Sequence, residues 1–155
     1  MQGWRPMRPD DLPIVERIAD VVHPDFFERP DVLAERLALF PDGGFCADGG
    51  YAIAHPSRLG ASPALDTKLG ALPEGADVLH IHDIALLPAA QGKGLGTACV
   101  ALLRTVAVRH GLARLGLVAV HGTAPYWARF GFAPAPAGAG VSTYGAEARY
   151  MVADR

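Results

Sequence analysis

The sequence contains little lysine, little cysteine and no long apolar run. Only Lys68 and Lys93 are lysines, and only Cys46 and Cys99 are cysteines. Two cysteines that lie far apart in different predicted elements build no disulfide framework, which predicts free thiols in a reducing compartment. No stretch reaches the ~18 apolar residues of a membrane span, and the start, MQGWRPMRPDD, lacks the apolar core of a signal peptide. We therefore expect a cytoplasmic protein.

An excess of either charge is also missing. The chain has 14 basic and 16 acidic residues, a net charge of -2. This balance predicts no nucleic-acid partner and no membrane partner. The length of 155 residues suits one core, so we predict a single domain over residues 1–155.

The spacing of apolar residues predicts a mixed α/β fold. Strands are predicted over residues 4–8, 45–47, 51–55, 79–87, 115–120, at 132 and over 150–152; helices are predicted over residues 10–22, 31–40, 97–110 and 124–130. Residues 56–77 are rich in Pro, Gly, Ala and Ser, and a connection of this length is usually functional or mobile. We interpret it as a flap beside the functional site.

A glycine-rich bend, QGKGLG over residues 91–96, joins the longest predicted strand to a helix. Such a turn directs backbone N–H groups and the positive end of a helix toward one point, which favours an anion such as phosphate. The nucleotide-binding P-loop needs Ser or Thr after Gly-Lys, but Gly94 follows Lys93. The dinucleotide-binding pattern needs a third glycine where Thr97 stands and an acidic residue about 20 positions later, which is also missing.

The bend resembles the pyrophosphate loop of the GNAT superfamily of N-acetyltransferases, whose pattern is Gln/Arg-x-x-Gly-x-Gly/Ala. Further along, APYWARFGF over residues 124–132 is similar to the aromatic-x-x-x-Gly-Phe segment of the same family. Two motifs in this order are far more specific than either alone. The resemblance implies a mixed, mostly antiparallel sheet of about six to seven strands, flanked by about four helices and splayed in the middle to hold acyl-CoA.

The resemblance also implies acetyl-CoA as co-substrate, with no metal cofactor, and direct transfer of an acetyl group to a primary amine of a small molecule or protein. An acyl-CoA-binding sensor with little or no turnover is the alternative. The implied cofactor contacts are Ile84, Ala85 and Leu86 for pantetheine, Gln91, Gly92, Lys93, Gly94, Leu95, Gly96 and Thr97 for pyrophosphate, and in addition His121 and Trp127. An exposed sheet edge leaves a homodimer open.

The strand that leads into the bend contains three candidates for the base that deprotonates the amine: His80, His82 and Asp83. In a regular strand the two histidines share one face and Asp83 lies on the other, unless a bulge shifts them. The resemblance matches His80 to the glutamate base of histone-acetylating relatives, and Asp83 to an acid common in bacterial relatives, so the choice stays open. Metal binding by the His-x-His pair is disfavoured because the sequence nominates no third ligand.

The general acid is expected in the second motif. The family places a tyrosine four residues before the Gly of Gly-Phe, where this chain has Trp127, and indole is not a useful proton donor. Tyr126, one residue earlier, is the candidate if the helix start is shifted. Tyr144 and Glu147, in the polar loop before the last strand, are candidate contacts of the acceptor.

Overall fold

Seven strands form one mixed sheet in the computed structural model, which describes residues 3–155. The strands are β1 (Arg5–Pro6), β2 (Gly44–Ala47), β3 (Gly50–Ser57), β4 (Val78–Leu86), β5 (Arg114–Ala119), β6 (Ala133–Pro134) and β7 (Arg149–Asp154). The α-helices are α1 (Leu12–Val22), α2 (Pro30–Leu39), α3 (Leu95–Arg109) and α4 (Ala124–Ala128). The sheet order is β1-β2-β3-β4-β5-β7-β6, and the one parallel pair within residues 3–155 is β4–β5. The predicted mostly antiparallel sheet with about four flanking helices is confirmed.

Element bounds differ from the sequence prediction mainly at the ends of the chain. β1 has two residues instead of five, and β7 continues to Asp154 because it pairs with β5 along the whole of β5. Helix α3 begins at Leu95, two residues before the predicted start, directly after Gly94 at φ 80°. Helix α4 ends at Ala128, ahead of Gly131 at φ 88°, a conformation that favours glycine.

The helices cover both faces of the sheet. α1 and α2 bury Val15, Ile18, Leu33 and Leu37 on one face, against β3. α3 packs on the other face and buries an apolar stripe that consists of Cys99, Val100, Leu103, Val106 and Ala107. Cys46 and Cys99 are both buried free thiols. The periodic apolar positions in the sequence therefore form two core layers, with the sheet between them.

Strands β4 and β5 separate halfway along their length. Val78–Ile81 pair with Arg114–Leu117. Beyond this point residues 83–86 of β4 pair with β3 only, and the remainder of β5 pairs with β7. Within the described chain, residues 82–86 have no strand on the β5 side, so their backbone polar groups on that side remain free for a ligand. The predicted splay in the middle of the sheet is confirmed.

A bulge in β4 lies at the same place. The β3 partners change from Ile53 opposite Asp83 to Ala54 opposite Ile81, so His82 is the extra residue. A bulge disrupts the alternation of side chains. His82 and Asp83 consequently both contact the segment that follows α1, and the regular-strand arrangement, with Asp83 on the opposite face, does not occur.

The long connection between β3 and β4 lies against α2. Arg29 contacts Asp66, the Arg36 guanidinium donates to the carbonyl of Thr67, and the carboxylate of Glu35 accepts hydrogen bonds from the backbone of residues 69 and 70. Its residue Leu65 reaches the cavity described below. The connection therefore lies beside the site, and its polar contacts with Arg29 and α2 hold it in place.

Over residues 3–155, no helix has the length and apolar content needed to cross a membrane. The two outer strands of the sheet, β1 and β6, have two residues each. Short edge strands offer few free backbone groups for pairing with a second chain. The homodimer stays a prediction.

Candidate active site

A cavity of about 820 Å³ opens where β4 and β5 separate. One end is lined by the glycine-rich bend and the start of α3, and the other end by the segment after α1 and by Tyr144. Its polar and glycine lining consists of His23, Glu28, His82, Asp83, Gln91, Gly92, Gly94, Gly96, Thr97, Thr123, Tyr126, Arg129 and Tyr144. A strand edge, an anion-binding turn and several ionisable side chains therefore face one space.

The bend has the backbone conformation that its glycines predict. Gly92 and Gly94 have φ 75° and 80°, and a Cβ on either would meet no atom within 4 Å. The glycines are thus needed for their backbone angles and leave open space in front of the helix. α3 begins at Leu95 and has 15 residues, so its first N–H groups and its dipole point to this space. Lys93 is outside the cavity lining.

The predicted pantetheine edge is exposed to the cavity in part. Ile84 and Leu86 line the cavity, whereas Ala85 is buried on the opposite face with α1 and α2. The side-chain amide of Gln91 donates to the carbonyl of Leu86 at 3.3 Å, which links the bend to the end of β4.

Asp83 lies at the centre of a hydrogen-bonded group. His23 Nε2 is 2.7 Å from Asp83 Oδ1, and the Tyr51 hydroxyl donates to Oδ2. Burial pushes the pKa of Asp83 upward, but hydrogen bonds from His23 and Tyr51 outweigh it and leave the pKa below its usual value. Burial pushes the pKa of His23 downward, and the Asp83 carboxylate reverses this, so the pKa of His23 lies above 6.5.

A second imidazole–carboxylate pair lies next to the first. His82 Nε2 is 2.6 Å from Glu28 Oε1. Glu28 also accepts a hydrogen bond from the backbone of Asp66 in the long connection. This pair is more deeply buried than the His23–Asp83 pair, although both line the cavity.

His80 is buried and lies outside the cavity lining. It is opposite His55 of β3, and burial lowers the pKa of His80 well below 6.5 and that of His55 to about 3. Both imidazoles are therefore neutral near pH 7. His55, His80 and His82 lie close together. His55 thus adds a third imidazole to the His-x-His pair, and this residue was not identified from the sequence.

Two tyrosines line opposite ends of the cavity. The hydroxyl of Tyr126 lies at the start of α3, where a Cβ on Gly96 would be 2.7 Å from it. Trp127 packs its ring against Phe130 and Phe132. Tyr144 lies at the other end, where burial and the nearby negative charges of Glu28 and Asp83 raise its pKa.

The remaining predicted residues, His121 and Glu147, lie outside the cavity lining. His121 has φ 52°, and its ring is tilted by 46° against that of Phe26, with ring centres 5.0 Å apart. Its Nε2 lies 3.5 Å from Asp25 Oδ2. It thereby joins the turn after β5 to the segment after α1, outside the cavity lining. Glu147 is exposed and is also outside the lining.

Four partners of Asp83, His82 and His80 were not named from the sequence: His23, Glu28, Tyr51 and His55. His23 and Glu28 belong to the irregular segment after α1, where no apolar periodicity indicates which way a side chain points. Their partners, Asp83 and His82, are 60 and 54 residues away in the sequence. Tyr51 and His55 belong to a strand whose other residues are almost all buried and apolar. The only available signal was the presence of adjacent polar residues, His82 and Asp83, within a largely buried strand.

Comparison with known proteins gives consistent findings for fold and family. The acetyltransferase (GNAT) family profile matches residues 21–132. No curated protein matches the chain. Among solved structures, the loading GNATL domain of CurA from Lyngbya majuscula has a TM-score of 0.79 and 12% identity, covering 97% of this chain and 96% of that chain.

Two further structures are similar over nearly their whole length. Rv2747 from Mycobacterium tuberculosis, in complex with CoA and NLQ, has a TM-score of 0.69 and 18% identity, covering 98% of each chain. The ribosomal-protein-S18-alanine N-acetyltransferase from Escherichia coli has a TM-score of 0.67 and 19% identity, covering 99% of this chain and 94% of that chain. At these identities the likeness concerns the fold.

Proposed function

Because the chain belongs to the acetyltransferase (GNAT) family, we propose that it is an N-acetyltransferase that moves an acetyl group from acetyl-CoA directly to a primary amine. The observation that carries this proposal is one continuous cavity. It runs from the glycine bend, along the free edge of β4, to the His23–Asp83 pair. An anion site, a strand-like edge and a proton acceptor thus occur in the order in which pyrophosphate, pantetheine and thioester follow one another in acyl-CoA.

The bend and the start of α3 bind the pyrophosphate in this proposal. Backbone N–H groups of residues 92–97 face the space that Gly92 and Gly94 leave open. Pantetheine then lies along residues 84–86 and pairs with the backbone groups that β5 leaves free, as an added strand does. The likeness to Rv2747, whose structure contains CoA, supports this placement.

The His23–Asp83 pair is the base. Asp83 accepts the Nε2–H of His23 and thereby leaves the lone pair on Nδ1. An amine with a pKa of ~10.4 is protonated at neutral pH and must lose a proton before it attacks. His23 takes that proton first, and the neutral amine nitrogen then bonds to the thioester carbonyl carbon. A free N–H of β4 residues 82–86 stabilises the oxyanion, and the second nitrogen proton passes to water. Of the three predicted bases, Asp83 thus acts through His23, and the buried His80 has no access to the amine.

Tyr144 is the acid. When the C–S bond breaks, the CoA sulfur leaves as a thiolate that accepts a proton. Tyr126 and Tyr144 both line the cavity, but the Tyr126 hydroxyl lies beside Gly96, at the pyrophosphate end and a pantetheine arm away from the sulfur. Tyr144 is near Glu28 and Asp83, at the end where the thioester meets the amine, so we assign the acid to Tyr144 in place of the predicted Tyr126.

The acceptor is an amine that carries a further positive charge. A side cavity of about 330 Å³ continues from His23, and its charged lining consists of the carboxylates of Glu16, Asp20, Glu28 and Asp83. His23, Phe26, Glu28 and Asp83 line both cavities, so the side cavity adjoins the reacting centre. Carboxylates along a cleft attract and orient cations. We expect diamines, including lysine with its free α-amino group, to be acetylated in preference to monoamines of equal size that lack a second positive charge.

Calorimetry with CoA, followed by thiol release with a panel of amines, tests the function. Gly94→Asp places a carboxylate at the phosphate site and should abolish measurable CoA binding. Gly111→Asp is the matched control, because Gly111 follows α3 at φ 68° and a Cβ there also meets no atom within 4 Å. The strain is therefore similar in both variants, and the distance from the CoA loop differs.

Equal CoA affinity in the two variants would overturn the placement of the cofactor. CoA binding without turnover of any amine would instead favour an acyl-CoA sensor. If monoamines without a second positive charge are turned over as fast as diamines, only the assignment of the acceptor class is contradicted.

A further inference from the structure

Three buried histidines form a cluster that the transfer reaction does not require. His55 of β3 is directly opposite His80 of β4, so both side chains lie on one face of the sheet. The ring centre of His55 is 5.3 Å from that of His80 and 6.5 Å from that of His82. Side-chain exposure is 1% for His82, and His55 and His80 are buried as whole residues.

Two ring nitrogens of this cluster have no hydrogen-bond partner in residues 3–155: His55 Nε2 and His82 Nδ1. Buried polar atoms are normally satisfied, so each exception needs an explanation. The opposite nitrogen of each ring is occupied, because His55 Nδ1 lies 3.0 Å from the carbonyl of Pro56 and His82 Nε2 lies 2.6 Å from Glu28 Oε1. Carbonyl and carboxylate oxygens accept, so the occupied nitrogens carry the hydrogens. In the neutral form of each ring, the unpartnered nitrogen therefore carries a lone pair inside the protein.

We propose that His55, His80 and His82 form a binding site for a divalent transition-metal ion of the zinc type. One ring nitrogen from each histidine lies within 4.8 Å of the other two. A tetrahedral ion with Zn–N bonds of ~2.0–2.1 Å places its ligands about 3.4 Å apart, which small rotations of the three rings achieve. Neutral imidazole is a preferred ligand of Zn²⁺, Cu²⁺ and Ni²⁺.

The outer hydrogen bonds support a metal further. A histidine that binds a metal usually donates its second N–H to a carboxylate or a backbone carbonyl, which fixes the ring and its tautomer. Glu28 does this for His82, and Pro56 does it for His55.

The charges near the cluster oppose one another. The buried guanidinium of Arg36 acts on His55 and His80 and disfavours a positive charge there, and it also pairs with Glu35 at 3.3 Å. The carboxylate of Glu28 lies beside His82 and favours a cation. A dication therefore needs Glu28 to offset the guanidinium.

The ion would connect β3 to β4 across the bulge at His82. This bulge is what turns both His82 and Asp83 toward the cavity. We therefore assign the ion a structural role, and the assignment is independent of the proposed acetyl transfer.

Zn²⁺ binding to chelator-treated protein, measured by competition with a chromophoric chelator, tests the site. We expect one Zn²⁺ per chain and a higher Tm. His55→Ala should weaken binding by more than the about 10–100-fold that loss of an outer hydrogen-bond partner costs. The control is His110→Ala, because His110 is exposed at the end of α3, which packs on the other face of the sheet, and pairs with Asp42. It should leave the affinity unchanged.

NMR of nitrogen-labelled histidine in the wild-type protein gives a readout that does not depend on how the variants fold. Zn²⁺ should shift exactly three imidazoles, with His55 bound through Nε2 and His82 through Nδ1. Absence of stoichiometric binding would overturn the proposal and leave the two lone pairs to a buried water. Binding that His55→Ala does not weaken, or that shifts surface histidines instead, would overturn it equally.

Discussion

Two imidazole–carboxylate pairs lie side by side at the bulge of β4, and the strand contributes the carboxylate to one pair and the imidazole to the other. In one pair the strand provides the carboxylate, Asp83, and the segment after α1 provides His23; in the other the strand provides His82 and that segment provides Glu28. Their contact distances are nearly equal, at 2.7 and 2.6 Å. Their side-chain exposures differ: 23% and 15% in the first pair, 1% and 9% in the second.

This difference separates two uses of the same chemistry. A base must reach its substrate, and only the His23–Asp83 pair combines exposure with a place where both cavities meet. The His82–Glu28 pair holds the long connection through Asp66 and faces the two other buried histidines. We therefore assign proton transfer to the first pair and structural support to the second.

The largest expected effect is loss of the base in the exposed pair. His23→Gln keeps a side-chain N–H for Asp83 but has no basic nitrogen, so kcat/KM should fall about 10²–10⁴-fold with unchanged CoA affinity. His110→Gln is the matched control, because His110 forms a comparable pair with Asp42 at 2.9 Å, away from the cavity. If His82→Gln loses this activity and His23→Gln keeps it, the roles of the two pairs are exchanged.

The second effect concerns the proton that the CoA sulfur receives. Tyr144→Phe removes the hydroxyl at the thioester end, and kcat should fall about 10²-fold, the low end for a general acid. Calorimetry should show unchanged CoA affinity. Tyr126→Phe removes the hydroxyl beside Gly96, at the pyrophosphate end, and should weaken CoA binding while kcat stays near normal. A near-normal kcat in Tyr144→Phe would mean that water protonates the thiolate.

Most of the fold, and the shape of the bend to which we assign the cofactor, follow from local sequence. The bend of residues 91–96 combines glycines at fixed offsets with a strand before it and a helix after it, and each part is a local property. The hairpin of β2 and β3 likewise follows from Asp48, Gly49 and Gly50 between apolar runs. Local patterns of this kind determine the backbone conformation of a turn without tertiary contacts.

The base end of the site does not follow from local sequence. Asp83 meets His23 only because a bulge turns it, and the bulge depends on the register between β3 and β4. His55 becomes a neighbour of His80 through the same register. Pairing across strands is a tertiary property, and a strand pattern with period two leaves such a register undetermined.

A smaller effect is expected on the pH profile. The Asp83 carboxylate stabilises the imidazolium of His23 and holds the pKa of His23 above 6.5, so kcat/KM should rise with pH through that pKa. Asp83→Asn removes this stabilisation, the imidazolium loses its proton more easily, and the acid limb should move to lower pH. Glu28 raises the pKa of His23 more weakly, so Glu28→Gln should move the limb less. An unmoved limb in Asp83→Asn would exclude His23 as the titrating group.

The smallest effect should come from the buried pair and should appear in stability. Glu28→Gln replaces a charge-assisted hydrogen bond to His82 by a neutral one, and removes a carboxylate that also accepts from the backbone of Asp66. Hydrogen bonds to charged groups contribute about 1.5–3 kcal/mol and neutral ones about 0.5–1.5, so the free energy of unfolding should fall by about 1 kcal/mol in urea denaturation. Glu147→Gln is the control, because Glu147 is exposed. Since breaking the His82–Glu28 contact leaves the base in place, kcat for a saturating amine should change far less in Glu28→Gln than in His23→Gln. Equal losses of kcat would mean that the two pairs work as one proton-transfer unit.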